Sequence, residues 1–480
     1  MFPAPFRFIC GRKKARKQEF GLTQQQRTFD SIVEREKGLR RGLSSGQMAM
    51  IAIGGAIGTG LFLGSGFAIG LAGPGVLVSY AIGALIALLL MGALAEMTVA
   101  HPTSGSFGAY AEHYVGPLAG FLVRYAYWSA VVFAVGTEVS AIAVFMKYWY
   151  PGVPGWYWVI GFSAALVAVN MTSVTLYGVV EYVFSLLKIA AIVAFIALGA
   201  YYVATAPASS GIGFANYSAH GGFFPKGFSG AWVAVIVAIF SYMSIETVAI
   251  AAGEARDPQR AVSQAFRSTV FRLVLFYLLT LALMLAIVPW TQAGTDESPF
   301  VKVMAATNVP YAAGVINFVV LVAALSAMNS QLYVTTRMMF SLSRARLAPA
   351  MFGRVGANGV PLAALVVSSS GVAVAAVLVA LYPDTAFTLL MAIAMFGALF
   401  TWLMIFVTHL YFRARYRGPA PAFRMRLHPV GSLLGAALVG AVLVTTAFTR
   451  EFRMTMMIGI AFVALLTLAY RLHYRARHAR

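Results

Sequence analysis

Gly54-Gly55-Ala56-Ile57-Gly58-Thr59-Gly60 lies in the middle of a long apolar run. Four glycines in seven residues weaken a helix by about 1 kcal/mol each relative to alanine. Glycines at Gly54 and Gly58 also suit close packing of membrane helices. That packing alone does not require such a density. The alternative is an unwound segment whose free N–H groups, with the dipole of the following half-helix, face an anion such as a carboxylate. No strand precedes the stretch, so it is not a dinucleotide fingerprint.

The surroundings make the run a membrane span. Of 480 residues, 60% are hydrophobic and only 10% are charged. About 20 apolar residues cross the hydrocarbon core, and helices are required because every backbone polar group must be paired internally. Twelve windows qualify: roughly 47–72, 76–98, 120–146, 156–176, 183–205, 231–253, 270–290, 312–336, 362–382, 386–410, 430–449 and 454–470. An all-α integral membrane protein of twelve transmembrane helices follows. A β-barrel would show alternating strands of about ten residues instead.

The formal net charge is +20. With the N-terminus in the cytoplasm, 29 of the 35 Lys and Arg fall on the inner side, five fall outside, and Lys188 lies within a span. This distribution places both termini in the cytoplasm. It accounts for the basic balance without nucleic acid, since no basic face interleaved with aromatics exists. Residues 1–40 read as a basic, disordered tail, and 41–480 as one twelve-helix domain. The single cysteine, Cys10, excludes an intramolecular disulfide. No Cys/His cluster, Ser/His/Asp arrangement or phosphate loop is present, so neither an enzyme nor an ATP-driven pump is expected.

Charges inside spans carry the remaining signals. Phe240-Ser241-Tyr242-Met243-Ser244-Ile245-Glu246 puts a carboxylate and two serines mid-way along the sixth window. An ionised residue there costs at least ~2.5 kcal/mol on insertion, so it faces a cavity or a partner. Ser241 and Ser244 could satisfy freed backbone groups. The bland alternative for Glu246 is a protonated group bonding between helices. Lys188, in the fifth window, either snorkels toward the inner interface past Glu181 or carries a proton near neutral pH. Glu138, in the third, lines a pathway or pairs with a cation. Glu96, Glu112 and Glu181 lie at inner span ends, where pairing with cytoplasmic arginines is expected. Ser326-Ala327-Met328-Asn329-Ser330 supplies polar groups in the eighth window, with interhelical hydrogen bonding as the simplest role. The interruptions in spans 1 and 6, five helices apart, suit an inverted repeat of five plus five spans.

Together these motifs resemble the bacterial amino-acid transporter branch of the amino acid–polyamine–organocation superfamily. Gly54–Gly66, Ala72–Gly75, Glu96-Met97, Ser104–Ser106 with Tyr110, and Phe240–Pro258 carry the likeness. Pro289-Trp290, Ser298-Pro299-Phe300, and Asn329-Ser330 with Arg337-Met338 continue it to the end of the chain. The resemblance implies a LeuT-type fold, with inverted repeats over about 47–205 and 231–410. Spans 11 and 12, about 430–470, would be additions. It also implies alternating access in a bacterial inner membrane. The substrate carboxylate would meet Gly58, Thr59 and Gly60. Its ammonium would meet carbonyls of Ala56, Phe240 and Met243, with Phe240 as the gate. Glu246 would couple the span-6 break to its neighbours, and Ser330 belongs with Glu138 to the coupling groups. Lys188 matches the family lysine that takes the place of a sodium ion, so a proton would be the coupling ion, with no other cofactor. Tyr242-Met243-Ser244 departs from the more glycine-rich run of relatives, which leaves the preferred amino acid undefined. An exchanger or sodium symporter of the same fold, and a non-transporting nutrient sensor, are the other readings.

Overall fold

The computed structural model describes residues 29–32, 34, 57–103, 105–172, 174–207, 210–251, 274–292, 294, 296–307, 309–356 and 359–478. Regular structure among them is helical throughout, with no strand. Ten helices are long and apolar enough to cross a membrane, and an eleventh, Val274–Ile287, is shorter. They correspond to the twelve expected windows in this way. Window 1 is described from Ile57 onward, as α1 (Thr59–Phe62) and α2 (Gly64–Ala72). A Gly73-Pro74-Gly75 turn joins α2 to α3 (Val76–Ala100), so parts of windows 1 and 2 form one 37-residue apolar unit. The short α4 (Ser106–Tyr114) follows, then α5 (Pro117–Lys147), α6 (Gly155–Thr172) and α7 (Val174–Thr205). Window 6 is split into α8 (Gly227–Tyr242) and α9 (Thr247–Ala251). Next come α10 (Val274–Ile287), α11 (Pro299–Ala306), α12 (Ala312–Arg344), α13 (Leu362–Ser368), α14 (Ser370–Leu381) and α15 (Ala386–Arg415). The chain closes with α16 (Val430–Phe448) and α17 (Arg453–His478).

The centre is built from α5, α8, α12 and α15. α5 packs along both α12 and α15, while α8 packs against α2 and α3. Outer helices carry apolar residues on their outer faces too: Ile160, Val179, Leu186, Leu433 and Leu465 are all exposed. In water such faces would be unstable; in lipid the solvent is itself apolar. Tyr148, Trp149, Tyr150 and Tyr157 are exposed where α5 turns into α6, as in an interfacial aromatic belt.

Two of the three carboxylates expected at inner span ends behave as expected. Glu112 pairs with Arg124 at 2.7 Å. Glu96 pairs with Arg413 at 3.0 Å and with His409 at 3.1 Å, and accepts the Met425 N–H. Glu181 does not, as described below. Within the segment expected to be a basic tail, residues 29–32 and 34 are helical. Phe29 is buried there, its ring 4.1 Å from that of His101 and 5.3 Å from that of His113. Burial and the neighbouring His113 push His101 down to about 4, and burial also lowers His113.

Candidate functional site at the helix interruptions

The sixth span breaks where its sequence turns polar. α8 stops at Tyr242, Met243 is extended, Ser244 takes φ +76°, and helix resumes at Thr247. A left-handed serine is uncommon and costs energy unless its surroundings fix it. Here they do. Ser244 N–H donates to Glu246 Oε1 at 3.2 Å, and Ser244 O accepts the Thr247 hydroxyl at 2.6 Å. The Glu246 carboxylate also accepts the Tyr127 hydroxyl of α5 at 2.9 Å. Glu246 therefore folds back as a cap on the broken segment and ties it to α5.

Rings from outside the segment complete the break. Tyr277 of α10 donates to Ser241 O at 2.9 Å, replacing a lost helical partner. The Ser241 hydroxyl shares a 2.8 Å bond with Tyr80 and donates to Val237 O at 3.1 Å. Ser241 and Ser244 were expected to satisfy freed backbone groups; at the Ser241 carbonyl Tyr277 does so. Tyr80, Tyr242 and Tyr277 form one buried cluster, with centroids 4.9–6.2 Å apart.

The first span meets this break directly. Ile57 and Gly58 are non-helical, and α1 begins at Thr59. Gly54, Gly55 and Ala56 lie outside the described residues. A Cβ added to Gly60 would stand 2.7 Å from Ser241 Cα, so only glycine admits this approach of the two backbones. One added to Gly58 would stand 2.9 Å from both Ala327 Cβ and Glu138 Oε1. In the described part of the stretch, Gly58 and Gly60 are closely packed and a helix starts at Thr59.

Glu138 occupies that start. Its Oε2 accepts the Thr59 N–H at 3.1 Å, and its Oε1 accepts Gln331 Nε2 at 3.4 Å. A carboxylate on the first free N–H of a half-helix is a favourable placement for negative charge.

Lys188 is wholly buried. Its Nζ donates to Ile57 O at 3.2 Å and to Ser326 Oγ at 2.7 Å. Ser326 Oγ donates to Glu181 Oε1 at 2.7 Å, and Asn329 Nδ2 to Glu181 Oε2 at 3.3 Å. Asn170 of α6 donates to Asn329 Oδ1 at 2.8 Å. Glu181 is thus fully buried against α12, and its partners among the described residues include no arginine. The reason is helix length: α7 starts at Val174, nine residues before the window assigned to it, and carries Glu181 inside the bundle. Ser330 is buried one residue past Asn329, while Phe240 and Met243 are buried at the end of α8.

These contacts gather Gly58, Thr59, Gly60, Phe240, Met243, Glu138, Lys188 and Glu246 around the helix start at Thr59 and the break in span 6. Gln331, Asn170, Tyr127, Tyr277 and Glu181 join them without having been singled out as functional. Glu181 had a signal: it precedes Lys188 by seven residues, which places both on one helix face. Among the described residues, no three His, Cys, Asp or Glu side chains converge as a metal site. A separate cavity of about 450 Å³ is lined by Lys147, Asp296, Asp384 and Phe387, among others.

Comparison with known proteins places this architecture. The chain is 38% identical over 439 residues to the γ-aminobutyric acid permease of Bacillus subtilis (strain 168), covering 91% of this chain and 94% of the relative. It is 36% identical over 447 residues to an uncharacterized amino acid permease, YtnA, of the same organism, covering 92% and 96%. It is 36% identical over 413 residues to the aromatic amino acid transport protein AroP of Escherichia coli O6:H1, covering 86% and 91%. With the ten apolar helices, these similarities make it a multi-pass membrane transporter, not an enzyme. The amino acid permease family model matches residues 47–480, and the chain belongs to that family.

Proposed function

We propose that the protein imports amino acids across a bacterial inner membrane by proton symport, on a twelve-span, five-plus-five inverted-repeat fold with both termini cytoplasmic. The zwitterion sits between the two interruptions. Its carboxylate takes the N–H groups at Gly58, Thr59 and Gly60. Its ammonium takes carbonyls at Ala56, Phe240 and Met243, and Phe240 closes the pocket. Dipole ends and carbonyls then replace the water lost on entry. Because Glu138 already holds the Thr59 N–H, an arriving carboxylate has to share or displace it. The cavity bordered by Lys147, Asp296 and Asp384 gives the outer approach.

The observation that carries the proton reading is the Lys188 contact with Ile57 O and Ser326 Oγ. A cation bonded to one carbonyl and one hydroxyl fastens the start of span 1 to α12. Losing its proton weakens that fastening without any metal ion. γ-Aminobutyrate and aromatic amino acids, the substrates named for two relatives, are the first to test.

The test is uptake of labelled amino acids into sodium-free proteoliposomes with an inward proton gradient. Accumulation that follows the gradient is expected. Uptake indifferent to the gradient, yet dependent on sodium or on an internal amino acid, overturns the coupling.

A further inference from the structure

The symport reading leaves one question for the structure: where the Lys188 proton goes. We propose that Glu181 is the acceptor, reached through the Ser326 hydroxyl, and this rests on that reading. Lys188 Nζ donates to Ser326 Oγ at 2.7 Å, and Ser326 Oγ donates onward to Glu181 Oε1 at 2.7 Å. Both links are short, point the same way, and join three residues that are each fully buried. A buried ammonium and a buried carboxylate joined by one hydroxyl form a complete path for a proton.

The step balances. One Lys188 N–H bond breaks as its proton bonds to Ser326 Oγ. The original Ser326 proton leaves for Glu181 Oε1. Ammonium and carboxylate become amine and carboxylic acid, and the serine hydroxyl is restored, turned the other way. Nothing is oxidised or reduced.

The surroundings hold this acceptor in place. Asn329 Nδ2 and Ser185 Oγ also donate to Glu181, at 3.3 Å each, and fix its carboxylate toward α12. Asn170 in turn fixes Asn329. Glu138 is the other carboxylate whose charge acts on Lys188; its oxygens accept the Thr59 N–H and Gln331 at the substrate end. Glu181 lies seven residues before Lys188 on α7, about 10 Å along the axis. With the N-terminus inside, that displacement leads toward the cytoplasm. The proton therefore leaves Lys188 on the side where the substrate is released, and the neutral amine loosens its hold on Ile57.

Glu181→Gln keeps an acceptor for Ser326 but cannot take a proton. In proteoliposomes we expect it to exchange labelled for unlabelled substrate by counterflow, which needs no net proton movement. Gradient-driven accumulation and substrate-induced alkalinisation of the outer medium should fall at least about tenfold. Accumulation and proton movement at the wild-type level overturn the relay. So does joint loss of counterflow and accumulation in a protein that still shows a substrate-dependent thermal shift, since that marks a structural role. If Glu181→Gln does not fold, Ser326→Ala breaks the middle link while leaving both charges, and the same readouts decide. A wild-type protein that accumulates substrate without moving protons overturns the symport reading itself, before any variant is made.

Discussion

At the level of single residues, the site depends on atoms that few substitutions can replace. Lys188→Ala removes the tie between Ile57 O and Ser326. It should abolish concentrative uptake of labelled substrate, and unchanged accumulation would remove the lysine from the mechanism. Gly60→Ala drives a methyl into the Ser241 backbone, which no rotamer change relieves. Overpacking of this kind costs about 1–3 kcal/mol, so the variant should melt earlier and transport poorly. Normal melting and normal uptake would show that the backbones can separate freely. The sequence made these residues visible to different degrees. Lys188 and Glu246 stand out because an ionisable group inside an apolar run is expensive. Gln331, Asn170 and Tyr277 do not, because polar uncharged residues are ordinary in membrane helices. Their roles appear only when the helices are brought together.

Elements show the same division. The apolar windows behind the ten membrane-length helices were legible from hydropathy, and so was the weak point in the sixth, where Ser241, Ser244 and Glu246 interrupt the run. Helix ends were less legible, because hydropathy drops at a charge even when the helix continues. α7 is the instructive case. The window began at residue 183, after Glu181, whereas the helix begins at Val174. That offset moved Glu181 from an inner end to the interior. The broken segment itself yields a prediction. Tyr127→Phe removes one of the bonds that hold Glu246 over Ser244. A hydrogen bond to a charged group contributes about 1.5–3 kcal/mol, so the variant should lose stability in a thermal melt and bind substrate more weakly. Wild-type affinity and melting would show that the cap does not depend on α5.

The end of α3, at His101, gives a pH prediction. His101 is neutral in the folded protein down to about pH 4, whereas an unfolded histidine takes its proton near 6.5. The unfolded state therefore binds more protons between those values. Folded stability should fall as pH drops from about 6.5 to 4 and fall no further below. Thermal melts across that range check this, and His101→Gln, which keeps a donor for Tyr114, should flatten the dependence.

For the whole molecule, composition and charge placement settle the setting better than any single motif. Exposed leucines and valines on the outer helices, in a chain of which only 10% is charged, describe a bundle held in a bilayer. The proposed orientation has a direct probe, since Cys10 is the single cysteine. A membrane-impermeant thiol reagent should label it in inside-out vesicles and spare it in right-side-out ones; the reverse would turn the assignment over. Transport at this scale joins one charge movement to one change of access, and a coupled recording reaches it most directly. Labelled amino-acid uptake and external pH would be followed together in sodium-free proteoliposomes holding the wild-type protein. The account predicts that protons enter with the amino acid and that both movements stop in Lys188→Ala. Substrate accumulating with no accompanying proton, or an unchanged proton signal in that variant, would contradict it.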